Sequence, residues 1–180
     1  LAESIKAGEF GRIQRLVGSY GKGITNNGSH MIDLAALLCA AIPVRARCLG
    51  SPLPASEADW SGGKDRALDA QIVFVDDQGA EFYLNLLGTD QNAFTCFELR
   101  VIGTRRVSDL TLGGRRITQS SVTADPHYAG YAILGEPLNQ PARAMEAMDR
   151  MVEEALELAR GTREKASCDV HSALLTALSV

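Results

Sequence analysis

Two turn signals constrain this chain more than any other feature. Asp76-Asp77-Gln78-Gly79 stands between residues 67–75 and 80–87, and Gly113-Gly114 stands between 107–112 and 115–119. The flanking runs are rich in strand formers, and a tight Gly-containing turn between such runs predicts a hairpin. A further strand is predicted over 94–102, where Phe94 and Cys96 alternate with Thr95 and Phe97. Strands joined by short turns pair antiparallel, because parallel neighbours need a long crossover. The middle of the chain is therefore a largely antiparallel sheet.

Helices are predicted at the two ends. Residues 1–7 read as a helix closed by Gly8. A strand follows over 11–20, then a helix over 29–40, apolar around its whole circumference and stopped by Pro43. A short strand over 44–49 leads into a surface loop over 50–66, rich in Ser, Pro, Gly and Asp. Residues 125–138 read as a Gly/Pro-punctuated connection. A helix over 141–160 lines up Met145, Met148, Val152, Ala155, Leu156 and Ala159 on one face and ends at Gly161. A last helix starts at Asp169, an N-cap residue, and carries Val170, Ala173, Leu174 and Leu178. This order predicts an α+β domain: an open, largely antiparallel sheet with helices packed on one face. Phe74, Phe82, Leu84, Leu86, Phe94 and Phe97 look too apolar for burial on one side only, which predicts assembly through the open face.

Bulk properties exclude several roles. A chain of 180 residues can bury a real core as one domain. A net charge of −4 with scattered Lys and Arg gives no basic stripe for nucleic acid. The doublets Arg105-Arg106 and Arg115-Arg116 read as solvated strand ends. No apolar run approaches the roughly 20 residues that span a bilayer, and no signal-peptide pattern opens the chain. Cys39, Cys48, Cys96 and Cys168 lack CxxC spacing and a His cluster, so no metal site is expected. Free thiols in a reducing, cytoplasmic compartment are the expectation. There is no GxGxxG at a strand-to-helix turn, no P-loop, no GxSxG and no HExxH. A first residue Leu1 rather than Met points to a longer protein.

The run from Gly23 to Leu34 gathers the polar chemistry: Gly23-Ile24-Thr25-Asn26-Asn27-Gly28-Ser29-His30-Met31-Ile32-Asp33-Leu34. His30 falls near the start of the second helix, where the positive helix end favours a neutral imidazole. Such a ring takes a proton from a hydroxyl or gives one to a carbonyl oxygen. Asn26 lies four residues before it, and Asp33 lies one turn after it, where it can orient the ring. A histidine that merely hydrogen-bonds inside the core fits the same pattern. His127 reads as a loop residue and His171 as a helix-surface residue. Trp60 and Tyr83 could line a sugar, although a lone loop Trp is more often a packing anchor.

These residues resemble a known family. Gly11-Arg12-Ile13, Tyr20, Lys22-Gly23-Ile24 and Asn27-Gly28-Ser29-His30-Met31-Ile32-Asp33 look like the opening of a C-terminal domain. The family is that of glucose–fructose oxidoreductase, inositol dehydrogenase and the rhizopine-catabolism enzymes (Gfo/Idh/MocA). Phe97-Glu98-Leu99, Val101-Ile102-Gly103-Thr104 and Gly113-Gly114 look like its mid-sheet strands, and residues 169–180 like its terminal helix. The resemblance implies a dihydrodipicolinate-reductase-like C-terminal fold that binds substrate and oligomerises. It also implies an N-terminal NAD(P)-binding Rossmann domain that residues 1–180 lack. His30 then matches the family's catalytic histidine, with Lys22, Asn26 and Asn27 as substrate contacts and Asp33 as support. The family commonly has Asp where this chain has Asn26, and an amide cannot share a proton. The implied reaction is hydride transfer between a nicotinamide and a sugar, nucleotide-sugar or cyclitol carbon. NAD or NADP would serve the full-length enzyme, with no cofactor held tightly by this chain alone. The implied assembly is a homodimer or homotetramer through the open sheet face, with neither nucleic acid nor membrane as partner. Two other readings compete: a non-catalytic binding or assembly module of the same fold, and an unrelated hydrolase that uses His30 with Asp33.

Overall fold

The computed structural model describes residues 1–53, 64–89, 94, 96–140 and 144–165, the side chains of 144–151 excepted. The predicted Trp60, Cys168, His171 and helix from Asp169 lie outside the described residues. The elements are α1 (Ala2–Lys6), β1 (Ile13–Tyr20), a single π-helical turn (Ile24–Gly28), α2 (Ser29–Cys39) and β2 (Ala41–Cys48). Then come β3 (Ala70–Asp76), β4 (Glu81–Gly88), β5 (Phe97–Gly103), β6 (Arg106–Thr111), β7 (Arg116–Ala124), β8 (Ala132–Leu134), β9 (Leu138–Gln140) and α3 (Ala144–Ala159). Both hairpins form at the expected turns. Asp76 Oδ1 accepts from the N–H groups of Gln78 and Ala80, and Thr111 pairs with Arg116 across the second turn.

The strands build one sheet in the order β2-β3-β4-β1-β5-β6-β7-β8, with β9 also paired to β7. Every pairing is antiparallel except β1 with β4. One parallel pair arises because α2 and the β2–β3 hairpin together carry the chain back across the sheet. The fold is α+β, as expected.

The register decides what is buried. Leu16 sits between Leu84 and Val101, and Gly18 sits between Leu86 and Leu99. Ile72 and Ala70 extend these rows through β3. Phe74 and Phe82 stack at 5.5 Å on the same face. Helix α2 lies over these rows and buries Met31, Ile32, Ala35, Leu38 and Cys39. Gly18 permits the close approach: a Cβ there would stand 2.8 Å from Met31 Cγ. On the edge of this layer, Arg106 pairs with Glu9 and lies 5.9 Å over the Phe10 ring.

Several expectations change. Phe74, Phe82, Leu84 and Leu86 all face α2, because they alternate with Val73, Tyr83, Asn85 and Leu87. Their apolarity is satisfied within the chain and says nothing about assembly. The opposite face is mixed: Arg15 lies 5.5 Å over the Tyr83 ring, Gln71 Nε2 donates to Asn85 Oδ1, and Arg100 stands 3.6 Å from Asp109. Phe94 is exposed and precedes β5. Helix α2 is not buried all round, since Leu37 is 65% exposed. It ends at Ala40, as expected, but through that residue's left-handed conformation with φ 48° and not through Pro43. Pro43 instead sits in β2 at a register shift. Arg106 is no solvated strand end, given its ion pair and ring contact. Residues 125–138 contain β8, and β9 begins at Leu138. The apolar stripe of α3 is open where described, with Val152 and Leu156 exposed. Among the described residues the covering layer is α2, with Leu1 and Ile5 partly buried against the same core, and the described side chains of α3 add nothing buried to it.

Candidate functional site

Strands β1 and β4 run side by side and end together, Tyr20 beside Gly88. Beyond Tyr20 the chain must turn sharply to enter α2. Gly21 donates its N–H to Cys96 O, and Lys22 and Gly23 both adopt left-handed φ values of 64° and 85°. The π-helical turn follows and runs without a break into α2. Lys22, Asn26, Asn27, His30 and Asp33 thus lie on one continuous segment at the end of the parallel strand pair.

Backbone groups at a helix start normally lack intrahelical partners. Here they are met from a distant segment. Ile24 N–H donates to Arg66 O at 3.2 Å. Thr25 N–H donates to Asp65 Oδ1 and Asn26 N–H to Asp65 Oδ2, each at 2.9 Å. Asp65 is only 8% exposed. Gly23 makes room for it, since a Cβ on Gly23 would stand 2.2 Å from the Asp65 carboxyl carbon. Two residues beyond Arg66, Leu68 O accepts from the Tyr20 hydroxyl at 2.8 Å, and Leu68 N–H donates back to that hydroxyl at 3.1 Å. Burial pushes the Tyr20 phenol up to about 12, the charges of Asp65 and Asp69 adding to it and the Leu68 bond opposing it. Tyr20 is a neutral anchor, not an acid or base at neutral pH.

His30 is exposed, and Asp33 is half-buried one turn further along α2. Residues 30, 33 and 37 form the stripe of α2 turned from the core, as spacings of three and four dictate. Helix α2 begins at Ser29, as expected, but the π-helical turn before it moves the positive end away from His30. Helical hydrogen bonding begins at Ile24, so the positive end lies at Ile24, Thr25 and Asn26 and is met by the Asp65 carboxylate. Ser29 Oγ donates to the carbonyls of Thr25 and Asn26 at 2.7 Å, tying the turn to the first residue of α2. Asn27 Nδ2 is buried and has no hydrogen-bond partner among the described residues. A buried donor without an acceptor is costly and marks a place where an incoming oxygen is welcome.

Asp65 and Tyr20 were missed as parts of this site. Nothing local to Asp65 distinguishes it, because it stands in Gly62-Gly63-Lys64-Asp65, which reads as surface loop. In fact Asp65 and Ala67 are buried at the end of that loop. Tyr83 belongs to the opposite face of the sheet, beneath Arg15, and cannot join His30. His127 is a loop residue whose N–H donates to Asp125 Oδ1. Among the described residues no group of three or more His, Cys, Asp or Glu could hold a metal ion. Cys39, Cys48 and Cys96 are free thiols. No described helix is long and apolar enough to cross a membrane.

The segment gathers the side-chain amides of Asn26 and Asn27, the exposed imidazole of His30 and Lys22, which already has a partner. It does not offer a cradle for a dinucleotide's pyrophosphate. A phosphate seeks free N–H groups at a helix start, and here Thr25 and Asn26 already face a buried carboxylate.

No protein-family model matches this sequence, and no curated protein is significantly similar to it. Solved structures share its fold. An oxidoreductase from Sinorhizobium meliloti matches with a TM-score of 0.68 at 12% identity, over 98% of this chain and 55% of that one. UDP-N-acetylglucosamine 3-dehydrogenase from Acidithiobacillus ferrooxidans matches with a TM-score of 0.60 at 16% identity, over 98% and 56%. Levoglucosan dehydrogenase, in complex with NADH and levoglucosan, matches with a TM-score of 0.61 at 12% identity, over 99% and 57%. The chain thus spans about half the length of the structures it matches.

Proposed function

We propose that this chain is the C-terminal, substrate-binding and oligomerisation domain of a cytoplasmic NAD(P)-dependent oxidoreductase. It belongs on this reading to the glucose–fructose oxidoreductase, inositol dehydrogenase and rhizopine-catabolism family, and it acts on a sugar, nucleotide-sugar or cyclitol. One observation carries the reading. The whole chain has a fold found in dehydrogenases named for sugar substrates, and its polar segment sits at the ends of β1 and β4.

His30 is the proton-handling group. Its exposed imidazole accepts the hydroxyl proton as the carbon is oxidised, or returns it to the carbonyl oxygen on reduction. Asn26, Asn27 and Lys22 hold neighbouring oxygens, and the buried Asn27 Nδ2 gains the acceptor it lacks. Asn26 orients substrate but takes no proton, so proton transfer falls on His30 and on groups outside this chain. Asp33 supports α2 beside His30. A nicotinamide supplies the hydride chemistry, and the residues that grip its pyrophosphate lie outside this chain. The sheet face opposite α2, with Val17, Leu87 and Ile102 among its charged residues, is the surface for a homodimer or homotetramer.

The test is an assay of the complete protein for NAD(P)-linked turnover across UDP-sugars, anhydrosugars and cyclitols. Turnover with one of these classes is expected, and none across the panel overturns the reading. In parallel, titration calorimetry of the 180-residue chain with NAD and NADP should give no micromolar binding, because the N–H groups of Thr25 and Asn26 at the candidate site are already taken by Asp65 and leave none for a pyrophosphate. A micromolar Kd would contradict the division of labour.

A further inference from the structure

We infer that Asp65 is the positioning residue of this site: its carboxylate clamps the turn that presents Asn26, Asn27 and His30. The inference rests on the reading of that segment as the substrate site. Three consecutive N–H groups, those of Ile24, Thr25 and Asn26, are all satisfied by Asp65 and Arg66. A helix start usually receives such bonds from its own N-cap side chain. Gly23 occupies that position and has no side chain to offer. The cap comes instead from about forty residues away in sequence, one carboxylate oxygen to each amide. Gly23 and Asp65 are complementary, since any Cβ on Gly23 would overlap the carboxylate. The turn's orientation is therefore set by the segment 65–68, which Tyr20 and Leu68 lock to the end of β1. Ser29 passes that placement on to α2 through its bonds to Thr25 O and Asn26 O. The orphaned Asn27 Nδ2 lies one residue beyond the clamped amides. A small rotation of the turn would move the donor and the imidazole together.

The test uses Asp65→Asn in the complete protein. The variant keeps the size of the side chain but leaves one acceptor oxygen where two served. Gly23→Ala is the second variant: it displaces the same carboxylate without removing its charge, and it answers the question if Asp65→Asn fails to fold. Amide hydrogen exchange is read at Thr25 and Asn26, with Leu84 in the sheet core as reference. Exchange at Thr25 or Asn26 should speed up by about tenfold while Leu84 keeps its protection. Turnover should fall by about 10–100-fold, with a smaller change in KM, because misplacement costs the transition state more than binding. The double variant should be no worse than the poorer single one, since both remove one clamp. Unchanged exchange in Asp65→Asn overturns the inference. Faster exchange with undiminished turnover overturns it too and leaves Asp65 a residue of the fold alone. A wild-type protein with no NAD(P)-linked turnover defeats the functional reading, and the inference with it. That result is told apart from failure of the clamp because the wild type itself is then inactive.

Discussion

His30 and Cys39 stand nine residues apart on α2 in opposite environments, and each has a measurable consequence. Exposed His30 is the side chain expected to exchange a proton with substrate. His30→Ala in the complete protein should lower kcat by about 10²–10⁴-fold, the usual contribution of a positioned acid–base group, with KM rising less. An unchanged kcat would reduce His30 to a surface residue of α2. Buried Cys39 has its thiol pushed up from 9.0 to about 12, by burial first and by the Asp76 charge second. Tyr20 is raised in the same direction from 10.0 to about 12. Both groups stay protonated in the folded state and ionise in the unfolded one, so the unfolded state binds fewer protons above pH 9. The contribution of these two groups should be constant well below that pH and lower stability as pH rises from about 9 towards 12. Urea midpoints measured across this range check it, and Cys39→Ala should flatten the slope. At this scale the sequence exposed His30, Asn26 and Asn27, which sit together in one run. It could not expose Asp65, whose partners Thr25 and Asn26 are brought to it only by the sheet.

Among the elements, α2 and the strands beneath it form the scaffold of the site, and their contact depends on Gly18. Gly18→Ala would push a Cβ to 2.8 Å from Met31 Cγ. Such overpacking costs about 1–3 kcal/mol, visible as a lowered urea midpoint with unchanged slope. No loss would mean that Met31 has room to shift. Ile32→Ala, which empties a fully buried position on α2, should cost about 2–5 kcal/mol. The elements themselves were largely legible. The hairpin turns, α1 with Gly8, β1, α2 and the end of α3 at Gly161 all follow from local propensity and turn chemistry. The errors share one cause, which is that tertiary placement overrides local pattern. Pro43 is accommodated at an irregularity in β2 and not used as a stop. The α3 stripe looks packed by periodicity, yet Val152 and Leu156 are open. Phe74, Phe82, Leu84 and Leu86 of β3 and β4 look two-sided until the pleat assigns them to one face.

For the whole molecule, one side of the sheet lies under α2, and the other carries no described helix. If that other face joins two copies, Val17→Glu with Leu87→Glu should lower the mass seen by sedimentation equilibrium to that of one chain, with the circular dichroism spectrum unchanged. A wild-type protein already at that mass would remove the assembly role. The position of β1 has a consequence for how the molecule comes into being. It lies at the centre of the sheet, yet both its neighbours are encoded much later, β4 at residues 81–88 and β5 at 97–103. During synthesis β1 and α2 leave the ribosome with no sheet to join, and Leu16 and Met31 must wait in solvent or in the grip of a chaperone. Pairings so distant along the chain close slowly. The pairing of β1 with β4 and β5 that completes the core is also the pairing that assembles the site at its end.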